Sequence, residues 1–232
     1  MAGEIVKVPA ICLAIHPWSR TSHIVRWLTP TGPVTTVVKG AVRPKSAFLG
    51  QYDLNYTCEI LYYARAKGEL HALRECSPLD LRTPLRSNYR ALMLADYCRQ
   101  QAGELAPSGP EALAWFELLA NTLDRLVAGE TDRVRELIRF ELGALSLAGL
   151  SPELEADAGA FTLRGERQLP VTPAVAAVFR HPEDEKNPQI LLDAARAIGV
   201  FYTFHTESQP EVRRAVLRMI ANNEERTGKQ DG

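Results

Sequence analysis

The chain has 232 residues, 46 % of them hydrophobic and 24 % charged, with a net charge of −1 and a pI near 6.5. This is an ordinary globular composition, long enough for one large core or two smaller ones. No window approaches eighteen uninterrupted apolar residues, so no membrane-spanning helix is expected, and the near-neutral total gives no sign of a polyanion binder.

The distribution of charge says more than its sum. From Ile5 to Tyr52 there is no Asp or Glu, while Lys7, Arg20, Arg26, Lys39, Arg43 and Lys45 all fall there. Residues 1–80 hold nine Lys/Arg against six Asp/Glu, a net of +3; the rest hold eighteen against twenty-two, a net of −4. A cationic region joined to an acidic one points to two domains, with a polyanion as partner of the first.

In chain order, "MAGEIVKVPA" lacks a charged n-region followed by a long apolar run, so no secretory signal is expected. "EIVKVPAICLAI" predicts a first strand, "HPWSRT" a turn and "SHIVRWLT" a second strand. "TPTGP" separates that strand from "VTTVVKGAV", and "YDLNYTCEILYYAR" is a long β-branched and aromatic run. "KGEL" reads as a tight turn into "LHALREC". Five strands in about 75 residues are most economically arranged as a closed antiparallel barrel, which removes exposed edges. An OB-fold is the expected form, although periodicity alone does not separate it from an SH3-like barrel.

"SPLDLRTPLRS" carries two prolines and no clear period, and places a domain boundary near residue 80. Beyond it the period is helical. "NYRALMLADYCRQQAGEL" predicts one helix. "EALAWFELLANTLDRLVAG" predicts a second, with Leu113, Phe116, Leu119, Leu123 and Leu126 as its buried stripe. Thr131 is the expected N-cap of "DRVRELIRFELGALSLAGL", with Asp132 favourably placed against the helix dipole. "LLDAARAIGVFYTFHTE" and "PEVRRAVLRMIANNEE" predict two more helices, and the tail "RTGKQDG" reads as frayed. Between the helices, residues 151–173 form a polar, irregular insertion that can hold a short hairpin around "FTLRGERQL". The expected organisation is a barrel over 1–80 and a helical domain over 81–232.

Few residues assemble chemistry. Cys12, Cys58, Cys76 and Cys98 are far apart with no CxxC pair, and read as reduced core thiols of a cytosolic protein. There is no tight CxxC or HxxxH pair, so no zinc site is expected, and "HPEDEK" (181–186) reads as a solvated acidic loop. There is no GxxxxGK[ST], GxGxxG or GxSxG. No catalytic residue, cofactor or metal is expected.

Binding is better supported. Basic groups that track phosphates, with aromatic faces that stack bases, are how barrels hold single-stranded nucleic acid. The candidates are Arg20 in the first turn, Arg26 on the second strand, and Lys39, Arg43 and Lys45 in "VVKGAVRPKSAFLGQYD". Arg26 and Trp27 are neighbours on a strand and face opposite ways, with Arg26 expected outside and Trp27 in the core. Tyr52 and Tyr56 are expected in the core, whereas Trp18 fits either stacking or packing. Gly40 and Gly50 suit sharp turns, and Pro44 stiffens the chain between Arg43 and Lys45.

The ordered set Leu28-Thr29, Gly32, Lys39-Gly40-Ala41, Lys45-Ser46 and Leu49 resembles the RecO family of DNA repair proteins. "FELGALSLAGLSPEL" is similar to that family's helix running into a turn, and "ARAIGVFYTFHTE", with His205, to a late helix. The resemblance covers nearly the whole chain and implies an OB-fold domain followed by a helical domain. It implies binding of single- and double-stranded DNA and annealing of complementary strands. It also implies loading of RecA onto DNA coated by single-strand-binding protein, with RecR as partner, without nucleotide hydrolysis or a cofactor. Ser46 joins the DNA-binding candidates through the matched Lys-Ser pair. Docking of the acidic tail of single-strand-binding protein on the helical domain makes Arg133, Arg135 and Arg139 candidates for partner contact. Many members carry four cysteines in two pairs after the helix, and this chain has none in "SPELEADAGAFTLRGERQLP", so no zinc is carried over. From the residues alone, an OB-fold RNA-binding module and a protein-interaction scaffold remain alternatives.

Overall fold

The computed structural model describes residues 4–65, 70–129, 131–157, 160–164, 168–206 and 210–221. The expected "KGEL" turn, the frayed tail and the side chain of His205 lie outside the described residues. By compactness the chain forms two units, one of residues 1–86 with 99–124, the other of 87–98 with 125–232. The strand-to-helix change near residue 80 therefore marks the end of a sheet, while the division by packing runs within three helices.

The first unit is built on β1 (Glu4–Ser19), β2 (Ser22–Thr29), β3 (Gly32–Val38), β4 (Thr57–Ala64) and β5 (Leu70–Asp80). They close in the order β1-β2-β3-β5-β4, with β3 parallel to β5. β1 serves two neighbours: residues 4–11 pair with β4 and residues 11–19 with β2. A register shift between Cys12 and Ala14 marks where β1 bends from one partner to the other, the work of a β-bulge. This long shared strand and the β3–β5 closure make the barrel an OB-fold, which settles what periodicity left open.

Alternation places Cys58, Ile60 and Tyr62 of β4 inward, against Ala10, Cys12, Val25, Trp27, Val38 and Leu73. Trp27 is fully buried, and its indole N–H donates to Thr36 Oγ1 at 2.9 Å, so the large apolar gain of burying it carries no orphan donor. Arg26 lies outside, as its position beside Trp27 requires. All four cysteines are free and buried.

Helical residues complete this unit. Arg99 donates to the Leu13 carbonyl, Arg26 Nη2 to the Gly103 carbonyl at 3.0 Å, and Gly109 N–H to the Thr31 carbonyl at 3.0 Å. Arg82, at the end of β5, is buried. It donates to Asp124 Oδ1 at 2.9 Å, to the Asn55 carbonyl at 2.9 Å and to Thr57 Oγ1 at 2.7 Å.

The helices are α1 (Pro84–Ser87), α2 (Tyr89–Leu105), α3 (Ala112–Ala128), α4 (Arg133–Leu147), α5 (Pro173–Arg180), α6 (Pro188–Thr206) and α7 (Pro210–Ala221). On α3 the buried stripe is Ala112, Trp115, Leu119, Thr122, Leu123 and Leu126, and Leu113 is 46 % exposed. The i, i+3, i+4 reading was correct in period but displaced at its first turn, where Trp115 takes the inward position. The N-cap of α4 is Asp132, not Thr131: its carboxylate accepts the Arg135 N–H at 3.0 Å. A carboxylate at this position satisfies an orphan donor and meets the helix dipole, a stronger cap than a hydroxyl one residue earlier.

The stretch expected to be irregular is regular over most of its length. β6 (Glu153–Asp157), β7 (Ala160–Arg164) and β8 (Gln168–Val171) form an antiparallel three-stranded sheet that contains the expected hairpin. α5 follows at once, capped by Thr172 Oγ1 and started by Pro173. In this second unit α4 packs on α6 and α7, and α5 on α6.

Two carboxylates are fully buried on α4. Glu136 receives Arg125 Nε at 2.6 Å and Arg139 Nη1 at 2.5 Å. Glu141 receives Arg213 through Nε and Nη2, both at 2.6 Å, and the Tyr97 hydroxyl at 2.7 Å. Arg213 Nη2 also donates to the Ala195 carbonyl at 2.7 Å. No oxygen of Glu141 is left bare, which is the condition for a buried ion pair to be tolerated.

Candidate nucleic-acid interface

Residues 39–56 connect β3 to β4 as a chain of tight turns rather than a floppy tether. Arg43 N–H donates to the Gly40 carbonyl at 3.1 Å, Ser46 N–H to Arg43 at 2.9 Å, and Leu49 N–H to Ser46 at 3.3 Å. Gly40 has φ +69, a conformation that side chains rarely adopt, and the Arg43 stem lies 3.3 Å from where a Cβ would be. The far half of the connection is anchored inward. Phe48 and Tyr52 pack against the barrel core, with Tyr52 edge-on to Trp27 and hydrogen-bonded to His23 Nδ1 at 2.8 Å. Arg86 holds Asp53 at 2.7 Å and lies over the ring of Tyr56.

The near half remains outside. Lys39, Arg43, Pro44 and Lys45 are exposed, and Ser46 is half-buried. Ser46 is a turn-former, since its Oγ accepts the Phe48 N–H at 3.2 Å. Two hydrogen bonds join this half to the β1–β2 hairpin: Gly40 N–H to Ser22 Oγ at 3.3 Å and Val42 N–H to the Thr21 carbonyl at 3.4 Å. The exposed Arg20 is in that hairpin turn, so Arg20, Lys39, Arg43 and Lys45 belong to one hydrogen-bonded end of the barrel, and Asp53, which closes the acid-free window, is paired with Arg86.

Two sequence candidates behave differently. Arg26 sits mid-strand on β2, between Ala14 and Thr35, and spends a guanidinium N–H on the Gly103 carbonyl. It is not among the residues that the hairpin and connection bring together. Trp18, placed by sequence in a turn, is part of β1. It falls in the second register shift of that strand, between Pro17 and Ser19, and is 64 % exposed.

On α4, Arg135 donates to the Glu185 carbonyl at 2.5 Å, and Arg139 is shared between Glu136 and Glu183. Arg133 is half-buried. The same unit has a feature that sequence reading missed, a groove between α6 and α7. One part, of about 510 Å³, is lined by Val200, Phe204 and Leu217 with Arg196 and Arg214 at its rim. A second part, of about 710 Å³, extends it past Leu192 to Arg218. The signal was present in the exposed apolar Val200 and Phe204, which break the polar outer face of α6.

The β6–β8 segment has no cysteine or histidine to offer a zinc ion, and its residues do not fit one. Among the described residues, no group of three His, Cys, Asp or Glu side chains is placed to hold a metal. Among them also, no helix is long and apolar enough to cross a membrane.

An OB-fold barrel with a basic, well-ordered β3–β4 connection, followed by a helical region, defines an OB-fold protein with a carboxy-terminal helical domain. Residues 1–82 match the family profile described as recombination protein O N terminal, and residues 86–162 match recombination protein O C terminal. The DNA repair protein RecO of Aromatoleum aromaticum is 30 % identical over 233 residues, covering 95 % of this chain and 90 % of that protein. The chain belongs to the RecO family. The RecO proteins of Alkaliphilus metalliredigens and Roseiflexus sp. are 26 % and 28 % identical over 152 and 154 residues, about two thirds of this chain. These matches span only 61 % and 53 % of those two relatives.

Proposed function

We propose that this protein is a non-catalytic mediator of DNA repair and recombination. It binds single- and double-stranded DNA, anneals complementary strands, and helps load RecA onto DNA coated by single-strand-binding protein, together with RecR. Its place of action is the bacterial cytoplasm, at the nucleoid. The observation that carries the reading is the tie between the β1–β2 hairpin and the β3–β4 connection, which gathers Arg20, Lys39, Arg43 and Lys45 on one ordered surface. Cations on a fixed backbone contact phosphates without selecting a sequence, which suits a protein that must act anywhere on a chromosome. Ser46 shapes that surface, and Arg26 braces the barrel.

For the acidic tail of single-strand-binding protein, the α6–α7 groove suits better than Arg135 and Arg139, which are engaged within the fold. An apolar floor edged by Arg196, Arg214 and Arg218 complements an acidic peptide, whose carboxylates would compete with the exposed Asp193 and Glu211 that now pair with Arg196 and Arg214.

The test is affinity for a labelled oligonucleotide across a range of salt. With about three to five phosphate contacts, the log-log slope for a single strand is about −2 to −4. Lys39→Ala/Arg43→Ala/Lys45→Ala flattens that slope by about two and weakens single strand and duplex alike. Unchanged affinity in this variant removes the connection from the interface.

A further inference from the structure

We infer that Trp18 is the residue that distinguishes an unpaired strand from a duplex, by stacking on an exposed base; this rests on the DNA-binding reading above. The argument begins with the backbone. Pro17 pairs with His23 and Ser19 with Ser22, so Trp18 is the extra residue of a bulge one step from the hairpin tip. A bulge leaves its residue out of the ladder and re-aims the side chain. The result is an indole 64 % exposed on a protein whose other two tryptophans, Trp27 and Trp115, are buried. An indole this exposed at a hairpin tip gives little to the barrel core.

Its surroundings supply the ligand chemistry. Arg20 is two residues on, and the tip is hydrogen-bonded through Thr21 and Ser22 to the segment that bears Lys39, Arg43 and Lys45. Cations that hold a backbone beside a free aromatic face are the two elements of a single-strand site. Phosphate contacts do not tell a single strand from a duplex, since both present phosphates. The indole does, because a paired base is already stacked on both faces and has none to offer. Trp18 is therefore a specificity residue, and the cations supply the shared affinity.

The experiment uses the full chain, wild type, Trp18→Ala and Trp18→Phe. The probes are an oligothymidylate of about twenty nucleotides, a blunt duplex of the same length, and the oligonucleotide with abasic positions. Because the other tryptophans are buried, quenching of wild-type tryptophan fluorescence by the oligothymidylate reports Trp18 directly. Trp18→Ala is expected to weaken single-strand binding by about 5- to 100-fold, the range of one lost base stack. Duplex affinity stays within about two-fold, and Trp18→Phe recovers most of the loss. Abasic positions weaken the wild type and have little further effect on Trp18→Ala. If the wild type binds both probes in a salt-dependent way but Trp18→Ala weakens them equally, or neither, the stacking role is wrong and the mediator reading survives. If the wild type binds no nucleic acid, both fall together.

Discussion

The guanidinium of Arg213, on α7, occupies the space that a side chain at position 199 of α6 would need: a Cβ added to Gly199 would overlap Arg213 Nη1. Arg213 cannot swing aside, because Glu141 holds it through two 2.6 Å bonds and the Ala195 carbonyl through a third. Gly199 is thus the opening through which a buried ion pair joins α4, α6 and α7.

Gly199→Ala is expected to destabilise the protein by about 3 kcal/mol, as separation of a buried ion pair does, read as a fall in the urea midpoint at unchanged m-value. Arg213→Met alone leaves Glu141 buried without its counter-ion and costs about as much. The double variant Arg213→Met/Glu141→Gln recovers part of the loss, since neither charge then remains.

Arg82 joins the start of β4 and the end of β5 to Asp124 by three hydrogen bonds from one buried guanidinium. Arg82→Met removes the donor to the Asn55 carbonyl, the Thr57 hydroxyl and the Asp124 carboxylate at once, at a cost of about 3 kcal/mol. Arg82→Lys recovers less than half, because an ammonium cannot reproduce the fork. Thermal unfolding followed by tryptophan fluorescence separates these outcomes.

Stability should fall in alkali. Burial, reinforced by the Glu141 charge, raises the Tyr97 phenol well above its ordinary 10.0 and the Cys98 thiol well above its ordinary 9.0. A group whose folded pKa is raised keeps its proton in the folded chain after the unfolded chain has lost it. Its contribution is therefore complete below the unfolded value and declines as pH rises beyond it. Urea unfolding at pH 7, 9 and 10.5 should show the decline begin near pH 9. In Tyr97→Phe the slope above pH 10 should be shallower by about 1.4 kcal/mol per pH unit, one proton's worth; an unchanged slope would refute the assignment.

Ser22→Ala removes the acceptor that ties Gly40 to the β1–β2 hairpin. The bond is long, so stability should fall by no more than about 1 kcal/mol. Oligonucleotide affinity should drop by a few-fold with the salt slope intact, because every cation is still present and only their mutual placement has loosened. Parallel salt titrations of Ser22→Ala and wild type read both quantities.

Much of the barrel was legible because its strands obey local rules: β4 alternates Cys58, Ile60, Tyr62 inward, and β-branched runs end at glycine and proline. The basic connection was visible as an absence of acids. The outward placement of Arg26 was legible because it is local, whereas its bond to the Gly103 carbonyl, far along the chain, was not. Trp18 was put in a turn because a bulge has no sequence period. α5 is only eight residues, too short for periodicity to declare. The buried Glu141 and Arg213 went unremarked as charged residues, yet Arg213, Val216, Leu217 and Ile220 share one helical face, and a lone arginine on an apolar stripe was the available sign.

The discontinuity of the first unit has a consequence in time. β1 needs β4 for half its length, and the barrel's hydrogen-bonded supports at Arg99, Gly103, Gly109 and Asp124 come later still. A ribosome adding about 5–20 residues per second must extend well past the last strand before the barrel can acquire its final stability. Until then the nascent strands have partners for their core but not for Leu13, Arg26 and Arg82. The basic end, made of the β1–β2 hairpin and the connection before β4, is in the meantime already synthesised. The basic surface precedes its lasting support, and the order of translation makes the first unit mature only after part of the second has been made.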